Sequence, residues 1–262
     1  MEAVQATVSA PHVGGDFIDA CAAPGNKTSL LCALLQGWEC TWLRDPSSAG
    51  RRVNIFAVEV DTKRYRRLVS NLQRCGASHV LTMNTSFMSL DCHSSLFSHV
   101  RYFLLDPSCS GSGTYSLDSI LHPRACAADS AQLQRYVDNQ IAIVRHAFNF
   151  PNAHTIVYST CSVHCCENEA VVLRTLHHAN QRGFILTSVL KSWPMRGASC
   201  ITVHDCIGAT EDELRDLVQL YGSADGSTLN VPNAEALVRV DPGTHRTGGF
   251  FLACFQRTQL VK

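Results

Sequence analysis

Two cysteines stand in small, polar stretches that each follow an apolar run: Asp106-Pro107-Ser108-Cys109-Ser110-Gly111-Ser112-Gly113 and Tyr158-Ser159-Thr160-Cys161-Ser162. The preceding runs, 102–105 and 155–158, read as strands. Each cysteine therefore falls just past the carboxyl end of a strand, the edge of an open α/β sheet where ligands bind. Such a pair suggests active-site thiols. By residue type alone a buried apolar filler is the commoner fate of a cysteine, so position and company have to carry the argument. A third chemical stretch, Asp19-Ala20-Cys21-Ala22-Ala23-Pro24-Gly25-Asn26-Lys27-Thr28, joins the first strand to the first helix. Its small residues let the backbone approach a nucleotide-like ligand, with helix N-terminal amides available to its polar atoms. It is neither a Walker loop nor a full Gly-x-Gly-x-x-Gly fingerprint. In Val58-Glu59-Val60-Asp61, Glu59 ends the second strand, where such folds hold ribose hydroxyls; a solvated strand-end carboxylate is an equal reading.

The elements that must position these residues alternate between short apolar strands and longer periodic segments, the pattern of a mostly parallel sheet covered by helices. Strands are expected at 17–20, 55–59, 79–83, 102–105, 155–158, 184–189 and 250–255. Helices are expected at 28–36, 63–74, 131–150 and 167–179, where apolar residues recur at helical spacing. Two stretches break the rhythm, about 37–52 and about 195–247. Both read as surface insertions, the second interrupted by a short helix at 211–221.

With 262 residues and 45% hydrophobic content, the chain is long enough to bury one substantial core, and it reads as a single catalytic domain over 1–262. The formal net charge of +0 supplies no global basic field for nucleic acid. Lys63, Arg64, Arg66 and Arg67 form a local basic cluster on the second helix, and such a run is usually a solvated face. Thirteen cysteines, an odd number, with no leader and no membrane-length apolar run, point to a reducing intracellular compartment and no membrane. No metal site is expected: zinc-ribbon pairs are absent, and His164-Cys165-Cys166 is too compact to hold a tetrahedral ion. Cys165 and Cys166 read as structural.

The string DACAAPGNKT, the loop DPSCSGSG, the stretch YSTCS and the following Glu167-Asn168-Glu169 occur in this order, and the sequence resembles the RsmB/Sun-domain family of RNA (cytosine-5) methyltransferases. Ser108, Gly111-Ser112-Gly113 and Gly249-Phe250-Phe251-Leu252-Ala253 are similar to its eukaryotic branch, which acts on large-subunit ribosomal RNA. The resemblance runs from about Gly15 to Arg257. It implies an α/β fold with a Rossmann-like seven-stranded sheet, mostly parallel with a C-terminal antiparallel hairpin. It also implies S-adenosyl-L-methionine as methyl donor. Carried over by position, Cys21, Ala22, Ala23, Pro24, Gly25, Asn26 and Lys27 would line the methionine and ribose side of the cofactor, with Asp106. Glu59 would hold the ribose hydroxyls, and Arg64 would approach the cofactor. Where the family has an acidic residue beside the adenine, this chain has Ser86-Phe87.

The same resemblance assigns the thiols. Cytosine C5 is a poor nucleophile, so a thiolate first adds at C6 and makes C5 enamine-like. Cys161, in the Thr-Cys motif, would be that thiolate. Asp106 would hydrogen-bond the cytosine N3 and amine edge, and Cys109 would assist release of the methylated base. Lys27 would lower the pKa of a nearby thiol. The partner would be RNA, ribosomal in this branch, and the compartment the nucleolus. The family's usual N-terminal RNA-binding extension is largely missing before the first strand, which implies a protein partner or a further segment for RNA capture. Two other readings stand beside this one. A cofactor- or RNA-binding scaffold without turnover shares the fold, whereas a DNA cytosine-5 methyltransferase would place its nucleophile in a Pro-Cys motif where Ser108 stands. Neither cysteine is followed by an arginine that closes a phosphate loop, which disfavours a thiol phosphatase.

Overall fold

The computed structural model describes residues 14–39, 53–114 and 129–258. They fall into two compact units, one built from residues up to 106 together with 146–157, the other from 107–145 and 158–258.

In the first unit, β1 (Asp16–Asp19), α1 (Asn26–Glu39), β2 (Ile55–Val58), α2 (Thr62–Arg74), β3 (Leu81–Met83) and β4 (Val100–Leu105) follow one another. The strands lie in the order β3-β2-β1-β4, and the pairings of β1 with β2, β1 with β4 and β2 with β3 are parallel. Ile18 of β1 sits opposite both Phe56 and Phe103. All four residues of β1 and of β2 are buried, as expected where both faces of a parallel sheet are covered. The chain order reverses between β1 and β4, so their carboxyl ends form a topological switch point, the usual ligand crevice of such sheets. Asp61 caps α2 by accepting from Arg64 N at 2.8 Å, and Leu68 and Leu72, four residues apart, bury its inner face. Lys63, Arg66 and Arg67 are exposed, which is the solvated face the sequence suggests; Arg64 departs from it. Beneath the sheet Phe150 stacks on Phe87 and meets Phe97, Phe103 and His146 edge-on or tilted.

α3 (Ser130–Phe148) and β5 (Thr155–Thr160) contribute residues to both units. The second unit continues with α4 (Glu169–Gln181), β6 (Phe184–Leu186), β7 (Cys200–Thr202), α5 (Glu211–Tyr221), β8 (Thr228–Asn230), β9 (Val238–Val240), α6 (Pro242–His245) and β10 (Phe250–Arg257). β10 pairs antiparallel with β6, the expected C-terminal hairpin partners, and also with β9; β7 and β8 form a separate antiparallel pair. The chain therefore has the mixed α/β class expected, parallel strands first and antiparallel strands last.

All seven expected strands are present with shifted ends. β5 runs two residues beyond 158 because Ser159 and Thr160 are buried despite their hydroxyls. The expected helix at 167 begins instead at Glu169. Residues 165–167 make a 3-10 turn, and Asn168, at φ −119° and ψ −97°, spends its side chain on Thr160 Oγ1 and Ser162 O. The stretch 195–247 is no mere surface insertion: it supplies β7, β8 and β9 and buries Ile201, Leu229, Leu237 and Val238. Its strands are three residues each, too short for alternation to show in a sequence rich in glycine and polar residues. Of the expected insertion at 37–52, residues 37–39 extend α1 and 40–52 lie outside the described residues. No described helix is long and apolar enough to cross a membrane.

Phe150→Ala is expected to lower the free energy of unfolding by about 3–5 kcal/mol, because its ring is buried on every side by partners that cannot collapse into the gap. Urea denaturation reads this directly; a loss under about 1 kcal/mol would mean the aromatic cluster is not close-packed.

Candidate active site

The first unit gathers three strand ends. After β1 the loop doubles back, with Ala20 N donating to Leu104 O and Ala22 N to Val58 O, so it spans the ends of β4 and β2. The Ala23-Pro24 peptide bond is cis, and Gly25 takes φ +105°, a conformation that favours glycine. A Cβ there would also lie 3.0 Å from Leu68 of α2, so the glycine lets loop and helix meet closely. α2 holds the loop from the other side: Arg64 donates to Ala23 O at 3.0 Å and Asn71 to Pro24 O at 2.9 Å.

Glu59, at the end of β2, is almost wholly buried. Its Oε1 accepts from Asp61 N at 2.9 Å, while Asn84 Nδ2 donates to its backbone carbonyl at 2.8 Å. Its Oε2 lies 3.5 Å from the Arg64 guanidinium and accepts no hydrogen bond among the described residues. A buried carboxylate oxygen without a donor is costly unless a ligand supplies one. The solvated-carboxylate reading of Glu59 is therefore set aside. A pair of vicinal hydroxyls is the chemistry that fits this oxygen, beside a loop of small residues that leaves the backbone open.

Lys27 donates to Asp106 Oδ2 at 2.6 Å, joining the β1 loop to the end of β4. The sequence reading gave that cation a different task, lowering the pKa of a thiol. Cys21 is instead pushed well above its ordinary value, by burial first and then by Asp19, Asp106 and Glu59 around it. That rules Cys21 out as a thiolate at neutral pH and leaves it as the small residue of a tight turn. Asp19, buried at the end of β1, accepts from Thr28 Oγ1 at 2.7 Å; burial raises its carboxyl to about 7, with Asp106 adding to the rise. At the third position Ser86 caps a 3-10 turn by accepting from Met88 N at 3.2 Å, and Phe87 is buried in the aromatic cluster.

The second unit brings the two thiols together. Cys109 Sγ and Cys161 Sγ lie 3.3 Å apart, a contact between separate thiols and far longer than a disulfide bond. No cysteine among the described residues is bridged. The contact with Cys161, then burial, push the Cys109 thiol far above its ordinary value, and either sulfur can be the donor of the contact.

The two loops are stitched by small residues. Gly113 N donates to Cys161 O at 2.9 Å and Gly249 N to Gly113 O at 2.7 Å. A Cβ on Gly113 would lie 2.7 Å from Gly249 Cα and 2.8 Å from Cys161 O, so only glycine permits this approach. Ser110, Ser112 and Ser162 form a triangle of hydroxyls with edges of 3.1, 3.2 and 3.1 Å. Glu167, fully buried, accepts from Ser110 N at 2.9 Å, Ser110 Oγ at 2.5 Å and Gln140 Nε2 at 3.0 Å. Glu169, equally buried, is paired by Arg239, which also donates to Val163 O at 2.9 Å. Cys165 accepts from Arg239 at 3.4 Å and Cys166 is buried, in keeping with structural roles. Sequence reasoning used Glu167-Asn168-Glu169 only as a family signature; the local signal, two acids flanking an amide just after a Thr-Cys, said nothing about their partners. No cluster of His, Cys, Asp and Glu among the described residues is arranged to hold a metal ion.

A parallel sheet with a small-residue loop and a buried carboxylate at its switch point, and a pair of contacting thiols in the same chain, define an α/β protein of the Rossmann-like type. The family model for the 16S rRNA methyltransferases RsmB/F matches residues 6–256, and the chain belongs to that family. It is 34% identical over 98% of its length to a mouse 28S rRNA (cytosine-C(5))-methyltransferase and 34% identical over 92% to a 25S rRNA (cytosine-C(5))-methyltransferase of Schizosaccharomyces pombe. The chain spans 45% and 44% of those relatives' lengths. Among solved structures, a methyltransferase homologue from Pyrococcus horikoshii superposes with a TM-score of 0.58 at 24% identity, covering 98% of this chain and 67% of that one, a likeness of fold.

Asp19 supplies a pH test. Its carboxyl is near 3.8 when unfolded and about 7 in the fold, so the native state holds the proton more tightly. The stability it contributes is complete below the unfolded value and is lost as pH rises through about 7. Asp19→Asn keeps an acceptor for Thr28 and never ionises. Relative to the parent it is expected to gain stability as pH rises, by up to about 4 kcal/mol, whereas denaturation curves that shift in parallel would mean an ordinary carboxylate.

Proposed function

We propose that this chain is the catalytic part of an S-adenosylmethionine-dependent ribosomal RNA (cytosine-5) methyltransferase that works through a covalent Cys161 adduct. The observation that carries the reading is the contact of Cys109 and Cys161, two thiols on separate loops whose sulfurs lie 3.3 Å apart. Family membership and the relatives' cytosine-C(5) activity on 28S and 25S rRNA support the reaction class.

The loop from Cys21 to Lys27, Glu59, Arg64 and Asp106 would hold the cofactor, with Glu59 Oε2 accepting the ribose hydroxyls it lacks a donor for. When bound, S-adenosylmethionine supplies the electrophilic methyl that becomes the C5 substituent. Cys161 acts as thiolate: its sulfur adds to C6, the C5–C6 double bond opens, and C5 gains nucleophilic character. Asp106 receives the N3 and amine edge of the base. Lys27, paired with Asp106, fixes that carboxylate between the cofactor loop and the base. After methylation the C5 proton passes to solvent, the C5–H bonding pair re-forms the C5–C6 double bond, and the C6–S bond breaks with its electrons on sulfur to return Cys161. Cys109 assists this last step, which a protonated neighbour favours by stabilising the departing thiolate. The substrate would be ribosomal RNA, with the nucleolus as the compartment of the reaction.

Ser86, which carries no acid at the adenine position, favours one second reading, a cofactor-binding scaffold without turnover. Cofactor binding without methyl transfer to any RNA would support it.

Two experiments test the proposal. Cys161→Ala is expected to abolish denaturant-stable trapping on 5-azacytosine RNA, whereas Cys109→Ala accumulates an adduct on ordinary cytosine RNA; an undiminished adduct in Cys161→Ala overturns the assignment. In calorimetry, Glu59→Gln is expected to weaken S-adenosylmethionine binding by roughly ten- to a hundredfold, the worth of hydrogen bonds to a charged group. An unchanged Kd would remove Glu59 from the cofactor site.

A further inference from the structure

Cys109 sits in a segment, 107–113, that belongs to no helix or strand. Something else must fix its sulfur. The residues on either side of it are held by one buried pair of side chains. Gln140 Nε2 donates to Ser108 O at 3.1 Å, and Ser110 N donates to Glu167 Oε1 at 2.9 Å. Gln140 Nε2 also donates to Glu167 Oε1 at 3.0 Å, so the two clamps are one unit. Both side chains are fully buried. Both acceptors met by Gln140 need its amide nitrogen, and its Oε1 is left without a hydrogen bond among the described residues, a cost that fixes the orientation of the amide.

Glu167 reaches the other thiol's loop as well. Its Oε2 accepts from Ser110 Oγ, whose oxygen also lies 3.2 Å from the hydroxyl of Ser162, the residue after Cys161. Its own backbone carbonyl accepts from Tyr158 Oη at 2.5 Å, in the strand that delivers Cys161. A buried carboxylate is a poor stabiliser compared with a packed apolar side chain, so its presence here is better explained by the geometry it imposes.

We propose that Glu167 is a positioning residue for the release step: with Gln140 and Ser110 it sets the Cys109 thiol against Cys161, while leaving the attack of Cys161 on the base intact. This rests on the covalent reading given above. In 5-azacytosine the C5 carbon and its proton are replaced by nitrogen, so trapping on that RNA reports attack alone. Adduct persisting on ordinary RNA reports release.

The full chain is compared as parent, Cys109→Ala, Glu167→Gln and Ser110→Ala, using an in vitro transcript of large-subunit ribosomal RNA in both base forms. Ser110→Ala deletes one hydroxyl on a half-exposed loop residue and guards against a Glu167 variant that fails to fold. Glu167→Gln and Ser110→Ala are expected to hold at least about threefold more adduct on ordinary RNA than the parent, with trapping on 5-azacytosine RNA within about twofold of it. Retained trapping is what a merely structural defect would not give. If Cys109→Ala accumulates adduct and the other two turn over like the parent, Glu167 has no part in release. If both variants lose trapping and release together, its role is general stability and the inference fails. If Cys109→Ala itself accumulates no adduct, the release role of Cys109 is wrong and the inference falls with it.

Discussion

A carboxylate withdrawn from water must be met by donors, and the described residues obey this constraint in full at four of their five buried acids. Asp16 is met by the backbone and side-chain nitrogens of Asn54, Asp19 by Thr28, Glu167 by Ser110 and Gln140, and Glu169 by Arg239 and Ala198 N. These bonds tie segments that backbone ladders do not join, such as Glu167 to Ser110 and Gln140 and Glu169 to Arg239. The loops that carry the chemistry are irregular, and such bonds define their geometry where backbone ladders do not. Glu59 is the informative exception, because one of its oxygens is buried without a donor. Where a fold leaves that debt open at a switch point, a ligand is the economical way to close it.

The two thiols illustrate how like residues take unlike roles. Both follow strands and both sit in serine-rich loops, and their sulfurs meet at 3.3 Å with burial adding to the rise of the Cys109 thiol. Cys21, a third cysteine at a strand end, is removed from thiolate chemistry by burial and by the acids around it. Residue type and position were the same in all three; the local field separated them. Lys27 pairs its cation with Asp106 at 2.6 Å.

Much of the fold was legible because the strands are short apolar runs bounded by turn residues, and seven of them could be placed. The stretch 195–247 was not, since strands of three residues carry no readable alternation and their burial comes from partners such as β10. The start of α4 was misplaced for a related reason: residues 165–167 close a 3-10 turn, and Asn168, held by Thr160 and Ser162, separates that turn from the helix.

For the site, the order of motifs in the sequence determined the family and singled out the two cysteines, the 21–27 loop and Glu59 as candidates, because each motif is a contiguous string that can be read without knowledge of its neighbours. The tertiary structure alone decided that Cys109 and Cys161 touch, that Lys27 pairs with Asp106, and that Glu167 binds the segment around Cys109. These are pairings between residues 52, 79 and 57 positions apart. Partners at such separations are chosen by how strands pair and loops pack, which no local pattern encodes.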